Sequence, residues 1–250
     1  MFHALLLALA AAAAGNWLLT AVPHLLAAHD PAGDACHGQV LFVESIRWLG
    51  IPWGLRTCAA GLRRAGFRGR VRYWRWHRTW RGLLVLPAIL DARLLERRAE
   101  RLARYVTRCR RRNPDRPVYL IGYSAGGYVV VRALERLDGD VRVDGAALLA
   151  AAVDPRRDMT AACRNVTGRL VVCSSSADWL IIGLGTAIFG TGDRRHTPSM
   201  GMLGSLAPAP GNLAALRWRP GWITLGHWGG HFAAAAKGFV AHKLAPLLLR

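Results

Sequence analysis

The sequence predicts an α/β fold in which a mainly parallel, doubly wound sheet is covered by helices on both faces. Short and almost entirely apolar runs alternate with longer segments of helical periodicity, and one apolar run leads through a glycine-flanked turn into a helix. The alternation is typical of repeated strand–helix units. Strands without polar positions indicate a parallel sheet buried on both faces.

The chain length and composition favour one large domain. A chain of 250 residues with 52% hydrophobic content is ample for a single core, which we assign to residues 39–250. The net charge of +19 comes almost entirely from arginine, since Lys237 and Lys243 are the only lysines. An arginine- and alanine-rich composition is typical of a GC-rich genome, and the alternative is attraction to anionic lipid, nucleic acid or acidic substrates.

The cysteines predict neither a zinc site nor a disulfide framework. They are odd in number and widely spaced, and they contain no C-x-x-C pair. They are Cys36, Cys58, Cys109, Cys163 and Cys173.

The N-terminal residues 1–30 form a separate apolar segment. Residues 4–28 carry no formal charge and are long enough to cross a bilayer. We favour an export signal or a membrane anchor, hence a membrane-associated or exported protein over a cytoplasmic one. The alternative is an amphipathic helix packed on the domain, because no Lys or Arg precedes the run and Gly15-Asn16 interrupts it.

The order of elements follows from periodicity and from helix-ending residues. Residues 91–112 are the clearest helix, with apolar positions at spacings of three and four, Asp91 as a cap and Asn113-Pro114 as the end. Residues 75–81 interleave arginine with aromatics, which fits strand packing better than nucleic-acid binding. The predicted strands are 39–43, 71–74, 118–123, 146–153, 170–174 and 222–225, and the other predicted helices are 54–65, 125–137 and a final one from Phe232.

The motif that organises the chain is Gly122-Tyr-Ser-Ala-Gly126, placed between a strand and a helix. A serine on a strained strand-to-helix turn stands clear of the backbone, and only small neighbours let the two elements pack closely. The Ser124 hydroxyl and the Ala125 amide would then lie at a helix N-terminus, where free amides can bind an oxyanion. The alternative is an ordinary turn with an incidental serine.

A nucleophilic serine needs an imidazole base and a carboxylate that orients it. Among the later acids, Asp178 is best placed just past its strand, Asp154 is the second candidate and Asp193 the third. Among the histidines, which include His196 and His242, we favour His231 over His227. His227 and His231 are four residues apart, but the intervening Trp228-Gly-Gly230 is not helical and lacks the glutamate of H-E-x-x-H, so we predict no metal site.

The order Ser124, Asp178, His231 resembles the α/β-hydrolase superfamily, whose catalytic triad runs nucleophile, acid, histidine along the chain. The resemblance implies that these are the catalytic residues, that the Ala125 amide is one oxyanion donor, and that the second donor is the backbone of Ser45 or Ile46. Many relatives carry a lid after the strand that ends near Asp154, whereas this chain has only a short connection there.

The long connection instead follows Asp178. It is rich in glycine and proline and runs over residues 179–211. A loop of this length is usually functional or disordered. We expect it to wrap over the site, with Trp179, Leu180 and Phe189 as apolar lining.

The resemblance predicts a serine hydrolase that cleaves a carboxylic ester or thioester through an acyl-enzyme, without a cofactor. The expected partner is a small-molecule ester of lipophilic character, with membrane association through the N-terminus. Nucleic acid is disfavoured, and the oligomeric state is not determined by the sequence. The alternatives are a non-catalytic binding or scaffold protein on the same frame and an arginine-driven binder of anionic surfaces.

Overall fold

The computed structural model describes residues 11, 15, 33–44, 53–74 and 91–250. Within these residues the chain forms a six-stranded sheet in which every pairing is parallel, in the order β2-β1-β3-β4-β5-β6. The mainly parallel sheet predicted from the sequence is therefore confirmed. The strands are β1 (Gln39–Glu44), β2 (Arg70–Tyr73), β3 (Val118–Tyr123), β4 (Gly145–Leu149), β5 (Leu170–Ser174) and β6 (Leu213–Arg217).

The helices lie between the strands and after the last one. The regular ones are α1 (Trp53–Arg64), α2 (Ala92–Arg112), α3 (Ala125–Glu135), α4 (Thr160–Arg164), α5 (Thr186–Phe189), α6 (Met200–Leu203), α7 (Lys237–Phe239) and α8 (Ala245–Leu248). Short 3₁₀ segments occupy Ala35–His37, Pro220–Leu225 and His231–Ala235, and π-helical segments occupy Trp179–Gly185 and Val240–Leu244.

Two apolar cores, one on each face, explain why the central strands are almost entirely apolar. Alternate residues of one strand face different cores: Leu41 packs in the core that contains α2 and α3, and Phe42 packs in the core that contains α1 and the C-terminal helices. Strands β3, β4 and β5 are buried at every position. The edge strand β2 instead alternates between exposed and half-buried residues.

The long helix α2 forms as its sequence pattern predicts. The Asp91 carboxylate accepts a hydrogen bond from the amide of Leu94 at 3.0 Å and caps the first turn. The apolar stripe that includes Leu95 and Leu102 is buried against the sheet and α3, while the arginines of the other faces point outward. This helix covers the sheet and leaves its basic face in solvent.

The prediction that residues 222–225 form the last strand is wrong. Pro220 begins a 3₁₀ turn over Pro220–Leu225, which ends at Gly226 in the left-handed conformation (φ +79°). The sixth strand is β6, which pairs with β5 in parallel register from Leu170↔Leu213 to Ser174↔Arg217. The two alanines of β6 have low β-propensity, so only the open edge of β5 makes this segment a strand.

Three further boundaries differ from the predicted ones. Strand β4 ends at Leu149, because Ala150 takes a positive φ of +44° and leads the chain out of the sheet. The C-terminal helix begins at Lys237 rather than Phe232, since Ala236 is extended. The connection after Asp178 starts with two successive helical segments, Trp179–Gly185 and α5, where a glycine-rich loop was expected.

Several sequence predictions fall on residues outside the described ranges: the apolar segment 4–28 apart from residues 11 and 15, the donors Ser45 and Ile46, and the basic aromatic run 75–81. In the described part of the chain, no helix combines the length and the apolar character needed to cross a bilayer. The connection between β4 and β5 contains one short helix, α4. This agrees with the short, cap-free connection that the sequence predicts there.

Candidate active site

The strand-to-helix turn at Ser124 has a strained backbone. Ser124 adopts φ +56° and ψ −128°, which is sterically unfavourable for a residue with a Cβ. Its amide donates to the carbonyl of Leu149 at 3.0 Å, and its carbonyl accepts from the amides of Gly127 at 2.9 Å and Ala152 at 3.1 Å. These three bonds hold the strained conformation between β3, α3 and the end of β4.

The glycines of the motif are required by close backbone contacts. A Cβ on Gly126 would lie 2.0 Å from the carbonyl oxygen of Val43, and a Cβ on Gly122 would lie 2.7 Å from the Cα of Gly127. Real Cβ atoms do not approach backbone so closely. The turn therefore fits against β1 and α3 only because both flanking positions are glycine.

The sheet order puts this turn at the point where the strand order reverses. Strand β1 has β2 on one side and β3 on the other, so the connections after β1 and β3 lead in opposite directions. Such a switch point opens a crevice at the carboxyl ends of the strands, where α/β proteins bind ligands. Ser124 follows β3 directly at that edge.

Asp178 and His231 meet at the same edge. The Nδ1 atom of His231 is 2.7 Å from Oδ2 of Asp178, and the two residues are 8% and 4% exposed. Burial raises the pKa of the Asp178 carboxyl above its ordinary value, while His231 and the amide of Ile182 act in the opposite direction. The bond leaves Nε2 of His231 as the ring nitrogen available for a proton from a nucleophile.

Tyr123, the residue before the serine, also contacts the histidine. Its hydroxyl donates to the backbone carbonyl of His231 at 3.1 Å, and the two ring centroids are 5.2 Å apart. Burial raises the pKa of this phenol well above its ordinary value, with the charges of Glu44 and Asp178 adding to the effect, so the hydroxyl keeps its proton. The sequence reasoning missed Tyr123, whose only signal was a polar aromatic inside the serine motif.

The turn also supplies a free amide. Ala125 is the first residue of α3, and its N–H has no acceptor among the described residues. Ser45 and Ile46 lie outside the described residues, so the second oxyanion donor stays a prediction, while Val43 at the end of β1 lies against Gly126 of the turn. Glu44, 2% exposed, accepts a hydrogen bond from the amide of Gly54 at 2.9 Å and so holds the end of β1 to the start of α1.

Within the described structure, Ser124 Oγ makes no direct hydrogen bond to His231. Such bonds are often long in the absence of substrate and shorten in the reacting complex. The structure thus brings Asp178 and His231 into contact and puts Ser124 at the same edge, joined to His231 through Tyr123.

The other two acid candidates have different partners. Asp154 accepts from the amide of Arg156 at 2.9 Å, and its own amide donates to Asp193 at 2.6 Å. Asp193 forms an ion pair with Arg157. Neither carboxylate contacts a histidine in the described structure, and both belong to a network that joins the β4–β5 connection to the segment after Asp178.

Among the described residues, the other candidate bases His196, His227 and His242 contact no carboxylate. His227 is 3% exposed, and its ring lies between Trp222 and Phe239 at centroid distances of 6.1 and 4.6 Å. Burial lowers the pKa of His227 to about 4, and its Nδ1 accepts from the amide of Gly229. His196 contacts the carbonyl of Ile188, and His242 is exposed on the C-terminal helix.

The segment after Asp178 does not bury the side chains expected to line a pocket. Trp179, Leu180 and Phe189 are each nearly half exposed. The segment is nevertheless anchored at the edge, because Asp178 directly precedes its first helix and the buried Ile182 packs into the core.

The chain was compared with protein families, with curated sequences and with solved structures. The family model described as "Serine aminopeptidase, S33" matches residues 94–180, about a third of the chain, which includes Ser124 and Asp178. No curated protein sequence matches the chain significantly. Among solved structures, Trichoderma reesei cutinase in complex with a C11Y4 phosphonate inhibitor aligns with 14% identity and a TM-score of 0.42, over 94% of this chain and 88% of that one.

The family match supports a hydrolase of the esterase, lipase or peptidase type. The six-stranded parallel sheet flanked by helices is an α/β-hydrolase-like architecture. With both findings, the resemblance of this chain to the α/β-hydrolase superfamily is confirmed.

Proposed function

We propose that this protein is a serine hydrolase that cleaves a carboxylic ester or thioester through an acyl-enzyme. In this proposal Ser124 is the nucleophile, His231 the general base and acid, and Asp178 the carboxylate that orients the imidazole. The observation that carries the proposal is the buried 2.7 Å bond between His231 and Asp178, at the strand edge where Ser124 occupies its strained turn.

The geometry supports a two-stage reaction. Ser124 Oγ attacks the carbonyl carbon while Nε2 of His231 takes the hydroxyl proton, and the amide of Ala125 donates to the developing oxyanion. The C–O or C–S bond then breaks, and the leaving alcohol or thiol receives the proton from His231. Water, deprotonated by the same imidazole, attacks the acyl-enzyme and releases the acid and the free serine.

The orientation of His231 supports this direction of proton transfer. The Asp178 carboxylate accepts a hydrogen bond from the Nδ1–H group and so fixes the tautomer in which Nε2 is the basic nitrogen. Once Nε2 is protonated, the buried carboxylate also stabilises the imidazolium. The hydroxyl of Tyr123 donates to the backbone carbonyl of His231. The backbone and the imidazole of His231 are therefore each held by one hydrogen bond.

Amide hydrolysis is a second candidate, because the matching family model is described as a serine aminopeptidase. The same acyl-enzyme steps apply to a peptide bond. An aminopeptidase must also bind the free amino group of its substrate, and we identify no described residue with that role.

The first test is hydrolysis of p-nitrophenyl esters of increasing acyl length, with aminoacyl p-nitroanilides in parallel. We expect ester turnover by the wild type and a fall in kcat/KM of at least about a thousandfold in Ser124→Ala and in His231→Ala. Preferential turnover of the anilides would support the peptidase candidate instead.

A fluorophosphonate probe makes the test independent of the chosen substrate. We expect covalent labelling of the wild type at Ser124 and none in Ser124→Ala. A folded wild-type protein that the probe leaves unlabelled would contradict the proposal and favour the non-catalytic scaffold.

A further inference from the structure

The most exposed apolar surface of the described chain lies on the two helices that follow Asp178. We name it the apolar patch and define it by six side chains that are 42–56% exposed. Its members are Trp179, Leu180, Ile181, Leu184, Ile188 and Phe189.

These helices have an apolar inner side as well as an apolar outer side. Ile182 is 1% exposed and packs in the core, and a Cβ on Gly183 would lie 2.8 Å from the sulfur of Met202. Burial of this inner side fixes the helices to the domain, so the six outer side chains remain in water at a free-energy cost. Six exposed apolar side chains within residues 179–189 are typical of an interaction site.

Basic residues flank the apolar patch at its C-terminal end. Nδ1 of His196 lies 3.0 Å from the carbonyl of Ile188, which packs the 190–196 turn against α5. Arg194 and Arg195 are exposed on that turn. Arg194 has no ion-pair partner among the described residues, and Arg195 has only a contact at 4.0 Å with Asp154 while its side chain stays 74% exposed.

The apolar patch borders the candidate active site. Its first residue follows Asp178 directly, and a Cβ on Gly229 would lie 2.7 Å from the Cβ of Ala177, so the loops of Asp178 and His231 touch. Trp228, next to that contact, is 39% exposed. Apolar side chains from both loops therefore face solvent at the carboxyl edge of the sheet.

The charges discriminate between two occupants of this surface. A second copy of the chain would bring the arginines beside each apolar patch together, in a protein with a net charge of +19. An anionic lipid surface would receive the apolar side chains at its acyl boundary and the arginines at its phosphates. The charge complementarity thus favours lipid.

We propose that the apolar patch and the flanking Arg194 and Arg195 dock this protein on the surface of an anionic lipid bilayer, without spanning it. The docking requires no catalytic step. If the proposed function also holds, docking turns the carboxyl edge toward the bilayer and makes lipid esters accessible substrates, a consequence that rests on the proposed function.

The test measures partitioning of the full-length wild-type protein onto sedimented vesicles. The vesicles contain ether-linked phosphatidylcholine alone or with about a third of ether-linked phosphatidylglycerol, so ester hydrolysis cannot alter them. We expect binding to the anionic vesicles that weakens as salt rises, and at least tenfold weaker binding to the neutral ones.

Two pairs of variants separate the apolar and the basic contributions. Leu184→Asn with Ile188→Asn should lower the partition coefficient by about tenfold or more, whereas Leu206→Asn, which removes an equally exposed leucine outside the apolar patch, should not. Arg194→Gln with Arg195→Gln should lower it by about fivefold per arginine. Arg97→Gln with Arg101→Gln on the exposed face of α2 should have a smaller effect.

Three results would overturn the docking proposal. Absence of binding to anionic vesicles at low salt is the first. Equal losses in the patch variants and in their controls would indicate binding by net charge or by another segment. A dimer in solution that Leu184→Asn with Ile188→Asn converts to a monomer would identify a second copy as the occupant. Melting curves of all variants exclude unfolding as the cause.

Discussion

Two groups of charged residues in this structure differ in what neutralises their carboxylates. Asp178 has a histidine as its partner and contacts no arginine of the described ranges. Glu135 and Asp193 instead share Arg157, whose guanidinium is 2.8 Å from each carboxylate oxygen of Glu135. A carboxylate bound by arginine is a fixed anion, whereas one bound by imidazole can respond to a proton.

The arginine-bound group extends across several elements. Arg132 of α3 pairs with Glu135 and with Glu96 of α2, and the hydroxyl of Tyr128 donates to Glu96 at 2.7 Å. Asp193 also accepts from the amide of Asp154. This network joins α2, α3, the β4–β5 connection and the 190–196 turn, so we interpret it as structural and the Asp178–His231 pair as chemical.

The largest expected difference between the two groups is in catalysis. Asp178→Asn should lower kcat/KM for the best ester about a thousandfold or more, because the imidazole loses its orienting anion. Asp154→Asn, in the arginine-bound group, should lower it less than about threefold. Steady-state kinetics on both variants measures this, and comparable losses would remove the distinction between the two groups.

The free energy of unfolding should instead depend mainly on the arginine-bound group. Arg157→Gln leaves Asp193 without its ion-pair partner and Glu135 with Arg132 alone among the described residues. The loss of charge-assisted hydrogen bonds to both carboxylates should lower the free energy of unfolding by about 3 kcal/mol. The pH dependence of kcat/KM should keep the wild-type shape. Urea unfolding at neutral pH gives the first quantity, and a loss below about 1 kcal/mol would show that the network is not structurally important.

The buried imidazole of His227 should make the stability of the fold depend on pH. Its pKa is lowered to about 4 in the folded protein and has an ordinary value near 6.5, so below pH 6.5 protons bind mainly to the unfolded chain. Stability should therefore fall as the pH decreases from 6.5 to about 4. His227→Asn, which keeps an acceptor for the Gly229 amide, should make the loss between pH 7.5 and 4.5 smaller by about 2.5 kcal/mol.

Denaturant unfolding of the wild type and His227→Asn at several pH values tests this expectation. Both proteins share the titration of their carboxylates, so only the difference between the two curves reports on His227. Parallel curves would mean that this imidazole is accessible to protons in the folded state.

The smallest effect concerns the hydroxyl of Tyr123. Tyr123→Phe leaves the carbonyl of His231 without its 3.1 Å donor, which should cost about 1 kcal/mol of stability and several-fold in kcat. Tyr119→Phe is a matched control, since that hydroxyl has no hydrogen bond within the described ranges. If the two variants lose kcat equally, Tyr123 has no special part in positioning His231.

Much of the fold could be predicted because the central strands are buried on both faces. An apolar run such as residues 170–174 has no plausible place other than the interior, and β5 has these exact bounds. The glycines around Ser124 likewise predicted the strand-to-helix turn, because that turn has no space for larger residues. Helix α2 followed from its stripe and its Asp91 cap.

The predictions failed where stability comes from a neighbour rather than from the segment itself. The alanines of β6 give no local strand signal, and the segment is a strand because β5 offers it an open edge. Residues 222–225 have a strand-like composition, but Pro220 and Gly226 bound them into a 3₁₀ turn that packs Trp222 near His227.

The sequence by itself determined the chemistry that is available: one serine on a glycine-flanked turn, and a short list of acids and histidines after it. Local sterics and burial determine these features, so a few consecutive residues are enough to predict each of them. The partners were decided only by the tertiary structure, which joined His231 to Asp178 and assigned Asp154 and Asp193 to the arginine network. Side chains 53 residues apart meet only when the sheet fixes the ends of its strands, so no local pattern specifies the pair.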